Sequence, residues 1–235
     1  MSRKVLIWDF DGTLAYRAGM WSGALIDVLD RFEPSHGIRA EQVRPFLRQG
    51  FPWHNPEEPH PQLCDPAAWW RNLEPVFTAA YRGLGIDPLR ATDFARHVRV
   101  HFTDPTTWSL YPEVTHCIDE LSGDGWRHVI LSNHVPELEG IVAALELRDR
   151  FVAVHTSALL GFEKPNPNAY RHVLDTLGSL DHVYMIGDNP LADLAGAGAV
   201  GIPGILVRSE EKTHCLWCSD LTGVRGFVSC LTPAT

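Results

Sequence analysis

Basic residues are in the minority: 20 Lys and Arg face 29 Asp and Glu, a formal charge of −9. That balance excludes a standing nucleic-acid partner, because no surplus of cations is available to neutralise phosphates. An anionic membrane surface is no better served. Long apolar runs are also missing. No stretch reaches the roughly 18 consecutive apolar residues that a membrane helix needs. The apolar run behind Met1, Ser2, Arg3 and Lys4 stops at Asp9, too soon for a signal peptide. Cysteines are few and odd in number, five scattered through 235 residues, which is no disulfide framework. A reducing cytoplasm is the expected setting. His214, Cys215 and Cys218 approach metal-ligand spacing, but only Cys230 is left to complete a tetrahedral set, and packed thiols are the simpler expectation.

Apolar residues supply 45% of the chain and charged residues 21%, a balance that suits one domain with a large insertion, or two small domains. Short apolar runs at 5–8, 128–131, 151–154, 182–186 and 204–207 read as strands buried on both faces. Helical patterns separate the later ones. Residues 136–147 and 167–177 open on proline and repeat apolar residues at helical spacing, and 193–199 is a poorer case. Alternating strand and helix predicts an α/β fold, a parallel sheet with helices on both faces.

The first two strands stand more than 100 residues apart, and that interval is helical. Residues 20–32 and 89–102 read as helices, as does a stretch with Trp69, Trp70, Leu73, Phe77 and Tyr81 at helical spacing. Its aromatic face is expected to pack as core rather than to carry a ligand. Between the helices, FPWHNPEEPHPQLCDP holds five prolines in 16 residues and is neither helix nor central strand. The expected division is 1–16 and 110–235 for the α/β core and 17–109 for a helical insertion. Residues 208–235 are expected to add an edge strand and a closing helix.

Ligands of an open α/β sheet bind beyond the carboxyl ends of its strands, and here those ends collect chemistry. VLIWDFDGTLAYR closes the first strand with Asp9, Asp11 and Thr13; LSN closes the second with Ser132 and Asn133. GFEKPNP places Lys164 before a helix, and VYMIGDNPLAD ends the fourth strand in Asp188, with Asp193 five residues on. Singly, an Asp after a strand caps a helix and a loop lysine is solvated. Together these residues form one rim. Carboxylates so gathered repel unless a cation joins them. Hard oxygen donors without His or Cys favour Mg2+, which points to phosphoryl chemistry.

The set DFDGT, LSN, the lysine of KPNP and GDNPLAD resembles the four motifs of the haloacid dehalogenase (HAD) superfamily, across residues 5 to about 207. The resemblance implies a Rossmann-like core with an inserted all-helical cap, and it assigns roles. Asp9 would be the nucleophile that forms an aspartyl phosphate. Asp11 would protonate the leaving oxygen and then take a proton from water. Ser132 would hold the phosphoryl group, and Lys164 would neutralise charge on it and on Asp9. Asp188 would bind Mg2+ with Asp9 and the backbone carbonyl of Asp11, while Asp193 would support the metal or orient Lys164. Thr13, Asn133 and Arg17 are candidate substrate contacts, although capping the next helix explains Asn133 equally well.

Asp11 separates two chemistries. A halide leaves as a stable anion and needs neither proton nor Mg2+, whereas an alkoxide leaving phosphorus needs a proton. Hydrolysis of a phosphate monoester is therefore the expected activity. The superfamily's phosphonatases replace the second acid and use a cap lysine, yet no lysine lies between Arg17 and Tyr111. A phosphomutase acting on a sugar phosphate, a metal-independent 2-haloacid dehalogenase and a non-catalytic binding protein on the same fold remain as alternatives. The cap would read the leaving group through Tyr16, Arg17, Arg48, Trp53, His54 or His60, with the proline-rich loop equally readable as a surface excursion. A small phosphorylated metabolite is the expected partner. A sugar phosphate, phosphoglycolate and a nucleotide monophosphate all fit, and the oligomeric state is open.

Overall fold

The computed structural model of the chain describes residues 3–210 and 216–231. Eight strands occur among them: β1 (Lys4–Trp8), β2 (Ala15–Arg17), β3 (Trp108–Leu110), β4 (Trp126–Ser132), β5 (Ala153–Thr156), β6 (His182–Gly187), β7 (Gly204–Val207) and β8 (Trp217–Cys218). Six of them make one parallel sheet in the order β5-β4-β1-β6-β7-β8. The chain builds outward from β1 through β4 to β5, then returns to the other side of β1 with β6. That reversal opens a crevice at the carboxyl ends of β1, β4 and β6, where such sheets bind ligands.

The four apolar residues at 5–8 divide between the two faces, as strand alternation requires. Leu6 and Trp8 join one core with Ile118, Leu121 and Val228. Val5 and Ile7 join a second with Tyr170, Val173 and Ala197. Both faces are thus covered by helices, including Val114–Gly123 on the first and Pro167–Leu177 on the second. Fully burying aliphatic side chains stabilises by about 1.5–3 kcal/mol each, so continuous apolar runs are what a doubly covered strand needs.

Helices Met20–Phe32, Pro66–Gly83 and Pro88–Phe102 occupy the long interval between β1 and β4. β2 and β3 flank that interval and pair antiparallel, Ala15 opposite Leu110 and Arg17 opposite Trp108. Trp69, Trp70 and Phe77 are buried in the same apolar cluster as Trp8 and Phe10, so the aromatic face is core. The proline-rich segment folds as loop with two short 3-10 turns, Pro52–His54 and Pro61–Leu63.

Three expected boundaries move. β5 begins at Ala153 rather than 151, because a 3-10 turn over Arg148–Arg150 ends on buried Phe151 and leaves Val152 exposed. The helix expected over 136–147 is trimmed to Leu138–Ala144. In place of a helix over 193–199, a π-helical turn runs from Pro190 to Ala195, capped by the Asn189 side chain, and a short helix Gly196–Gly198 follows. Cys218 lies in the edge strand and is buried, and helix Val224–Leu231 closes the described chain. His214 and Cys215 lie outside the described residues. Among the described residues, no helix is long and apolar enough to cross a membrane.

Candidate active site

β1 delivers Asp9 into the crevice, and its backbone N–H still pairs with the Ile186 carbonyl at 2.9 Å. The chain then turns sharply. The amides of Thr13, Leu14 and Ala15 all donate to the Phe10 carbonyl, and Gly12 adopts φ +78°. A Cβ at Gly12 would lie 2.4 Å from Asp188 Oδ2, so only glycine fits between the turn and that carboxylate. The turn folds Asp11 back beside Asp9 instead of leaving it one strand residue further along.

β4 ends in Ser132, whose hydroxyl donates to Asp9 Oδ1 at 2.7 Å. Lys164 reaches the same oxygen from the loop before helix Pro167–Leu177, with Nζ 2.8 Å from Asp9 Oδ1 and 2.5 Å from Asp193 Oδ1. Asn133 fixes that loop. Its amide donates to the Lys164 carbonyl at 2.8 Å and its Oδ1 accepts the Lys164 N–H at 2.7 Å. Both polar ends of the Asn133 side chain are thereby used, and it caps no helix. The π-helical turn after β6 lets Asp193 face backward, so that its Oδ2 accepts the Asn189 N–H at 3.0 Å. Gly187 makes room, since a Cβ there would lie 2.1 Å from Asp193 Oδ2.

These groups line a cavity of about 660 Å3 together with Asp11, Asp188, Met20, Trp21, Trp53 and His54. Burial raises the Asp11 carboxyl well above its usual range, and the charges of Asp9 and Asp188 raise it further. Burial, then Asp9 and Asp193, push Asp188 up to about 7. Burial also lifts Asp193, against the pull of Lys164, to about 6. Lys164 moves the other way from most buried lysines. Burial disfavours its charge, but Asp193 and Asp9 outweigh that and hold its ammonium charged.

Ligand atoms of Asp9, Asp188 and Asp193 lie within 4.8 Å of one another. Three carboxylates so close, one kept partly protonated near neutrality for want of a counter-charge, suit a hard divalent cation with oxygen ligands. The donor set has no His or Cys, which fits Mg2+. Asp193 has both oxygens in hydrogen bonds to Lys164 and Asn189, and so serves first to hold the lysine.

Two expectations are corrected, and the metal contact of Asp11 stays where it was expected, on its backbone. Arg17 does not reach the cavity. Its guanidinium is buried against Asp27 and the carbonyls of Ala18, Met20 and His101, away from the cavity lining. Thr13 is buried beneath the site and approaches Asp188 Oδ1 at 3.4 Å, supporting that carboxylate rather than a substrate. The Asp11 carboxylate stands outside the acidic cluster and 3.6 Å from His134 Nε2, so any metal contact of this residue falls to its backbone. Of the other substrate-reading candidates, Trp53 and His54 line the cavity. His60 is buried against Glu163 at 3.0 Å, Tyr16 packs on Tyr111, and Arg48 is exposed outside the cavity.

His134 was not visible in the sequence as a site residue. It is fully enclosed by Phe10, Phe102 and Trp108, and burial lowers its pKa to about 4, so it meets Asp11 as a neutral ring. Glu163, buried beside Lys164, and Trp21 were equally hidden, because neither is at a strand end. Only adjacency, in Asn133-His134 and Glu163-Lys164, hinted at the first two.

Comparison with known proteins places this geometry. A model of haloacid dehalogenase-like hydrolases matches residues 3–201. The chain is 30% identical to a phosphoserine phosphatase of Thermus thermophilus, over 87% of this chain and 88% of that one. It is 31% identical to human haloacid dehalogenase-like hydrolase domain-containing protein 3 over 61% of this chain, a match that spans 57% of the human protein. Among solved structures, the HAD-hydrolase YfnB of Bacillus subtilis, bound to magnesium, superposes with a TM-score of 0.75 at 16% identity, covering 97% of this chain and all of that one. L-2-haloacid dehalogenase of Xanthobacter autotrophicus shares the fold at a TM-score of 0.68 and 21% identity, covering 99% and 100%. The family match spans most of the chain, and the chain belongs to the haloacid dehalogenase-like hydrolases.

Proposed function

We propose that this chain is a Mg2+-dependent phosphatase that hydrolyses a small phosphate monoester through an aspartyl phosphate on Asp9. The observation that carries the reading is a second carboxyl, Asp11, in the same cavity as Asp9, with burial and the charges of Asp9 and Asp188 raising its pKa well above the usual carboxylate range. Displacement of a halide has no use for a proton from that carboxyl; departure of an alkoxide does. Lys164 and Ser132 both engage Oδ1 of Asp9, which leaves Oδ2 as the attacking atom. As the bond from Oδ2 to phosphorus forms, the ester P–O bond breaks, and the leaving oxygen takes the Asp11 proton. The resulting Asp11 carboxylate then accepts a proton from the water that attacks phosphorus. Inorganic phosphate leaves, and Asp9 and the Asp11 acid are both restored.

Lys164 stabilises charge that grows on the phosphoryl oxygens, with Asp193 and Asn133 holding it in place. The Ser132 hydroxyl can turn from Asp9 to a phosphoryl oxygen. Mg2+ held by Asp9, Asp188 and the Asp11 carbonyl would offset the anionic charge of the substrate and keep Asp188 ionised. Residues 17–109 are the cap in this reading, with Trp21, Trp53 and His54 facing the site, and 1–16 with 110–235 the core. The free thiols Cys64, Cys117, Cys218 and Cys230 suit a reducing cytoplasm.

Phosphate release from 4-nitrophenyl phosphate, followed with Mg2+ and with EDTA, tests the proposal. Release is expected with Mg2+ only, and Asp9→Asn abolishes it. Asp11→Asn slows an alkyl phosphate about 10²–10⁴-fold, and this aryl ester less, because its better leaving group needs less proton help. Halide release from 2-chloropropionate without metal would overturn the assignment in favour of a dehalogenase.

A further inference from the structure

Beyond the phosphoryl-binding rim, the cavity changes character. Its outer wall is Met20, Trp21, Trp53, His54, Pro56 and Leu191, and among the described residues Lys164 is the only Lys or Arg lining it. That lysine is already bound by Asp9 and Asp193. Arg17, Arg99 and Arg208 are paired with Asp27, Glu137 and Glu113 respectively. A carboxylate or second phosphate on the leaving group would therefore enter a space holding four Asp carboxyl groups and, among the described residues, no free cationic side chain. An unpaired buried charge is costly.

The aromatic wall is prebuilt. Trp21 stacks on Phe102 with ring centroids 3.8 Å apart and 11° between planes. Trp53 stacks on Phe51 at 4.6 Å and 17°. The two tryptophans stand 6.0 Å from each other. Rings locked in this way lose little freedom when a ligand arrives. Beside them, the Phe51 N–H donates to Nδ1 of His54 at 3.3 Å, which leaves Nε2 as a neutral N–H donor toward the cavity. His54, Asn189 and the two indoles, each with an Nε1–H, are the recognition elements on offer.

We propose that the substrate's leaving group is a neutral alcohol with a flat aromatic or heteroaromatic face, seated against Trp21 and Trp53, and not an anionic one such as glycolate. The inference rests on the phosphatase reading above and narrows it. Of the substrates compatible with the sequence, phosphoglycolate is disfavoured and a nucleoside phosphate retained. In the reaction the P–O ester bond breaks and the aromatic alcohol departs with the Asp11 proton.

Benzyl phosphate, cyclohexylmethyl phosphate and 2-phosphoglycolate test this with similar alkoxide chemistry. Wild-type kcat/KM is expected to favour benzyl phosphate over 2-phosphoglycolate by about a hundredfold, through KM, and over the cyclohexylmethyl ester by about threefold to tenfold. Trp53→Ala should narrow the first preference, and Trp53→Lys, which supplies the missing cation, should narrow it further or reverse it. A wild-type preference for 2-phosphoglycolate, or ratios that ignore both substitutions, would overturn the proposal. Acetyl phosphate, which has almost no leaving group to read, reports separately on the phosphatase chemistry. Tryptophan fluorescence titration of Asp9→Asn with benzyl phosphate and with 2-phosphoglycolate reads the preference without turnover. Tighter benzyl phosphate binding there supports the aromatic subsite even if acetyl phosphate is not hydrolysed; equal or weaker binding refutes it.

Discussion

Replacing Asp188 by asparagine should stabilise the metal-free fold while destroying activity. In the fold, burial and the charges of Asp9 and Asp193 raise its carboxyl from an ordinary value of 3.8 to about 7. A carboxyl whose folded pKa lies above its unfolded one takes its proton more readily in the fold. Its contribution to stability is therefore full below about pH 4 and is lost as pH rises through about 7. At about 1.4 kcal/mol per pKa unit, the rise from 3.8 to about 7 is worth at most about 4 kcal/mol. Solvent screening of this half-buried carboxyl leaves the ionised group costing the metal-free protein between about 2 and 4 kcal/mol above pH 7. Asparagine keeps an oxygen to accept from Thr13 and removes the charge. For a chain of this length, that difference corresponds to a rise in Tm of about 5–10 °C. Differential scanning calorimetry in EDTA at pH 8 and pH 5 measures it, and adding Mg2+ at pH 8 should raise the wild type more than the variant. A variant less stable than the wild type at pH 8 in EDTA, or a gap that does not shrink at pH 5, would refute the electrostatic account of the site.

Three further outcomes follow from the same structure. Lys164→Met strands the buried carboxylates of Asp9 and Asp193, and urea denaturation at pH 7 should show a loss of about 3–5 kcal/mol together with loss of activity. Asn133→Ala removes both hydrogen bonds to the Lys164 backbone; kcat should fall about tenfold or more, with stability down by about 1–3 kcal/mol. His128 accepts the Trp8 indole N–H on Nδ1 at 3.0 Å and is buried as a neutral ring, its pKa lowered to about 4 by desolvation. Because its folded pKa is depressed, its contribution to stability is present above about pH 6.5 and is lost as pH falls through about 4. Urea midpoints at pH 7 and pH 5 should therefore diverge more in the wild type than in His128→Gln, whose side-chain oxygen can still accept from Trp8.

Much of the site was legible because strand ends are legible. Asp9, Ser132 and Asp188 follow apolar runs that alternate between two cores, and a sheet of this kind opens its crevice where those runs stop. Lys164, Asn133 and Asp193 were visible as residue types near strand ends, but their mutual bonds were not. Arg17 and Thr13 were misread for one reason: proximity to Asp9 in sequence says nothing about which way a side chain leaves the chain after a turn. The sharp reversal at Gly12 sends Thr13 under Asp188, while Arg17 pairs with Asp27, ten residues further along, and bonds to the carbonyl of His101. Asp193 shows the same limit. A helix was expected to begin there, and the wider π turn instead aims its carboxyl back at Lys164.

The sequence by itself determined the α/β alternation, the parallel sheet and the carboxylates, hydroxyl and lysine of the rim, because apolar periodicity and strand-end chemistry are local properties of the chain. Tertiary structure decided what those groups do to one another. The raised carboxyls of Asp11, Asp188 and Asp193 and the charge held on Lys164 all come from burial and from neighbours, most of them far away in sequence. The same holds for the cavity's outer wall. Trp53 was among the sequence candidates, but Trp21 belongs to a stretch that reads as ordinary helix, and packing on Phe102 and Phe51 holds the two rings in the cavity lining. Electrostatics and packing act through space, so they appear once the chain has brought distant residues together.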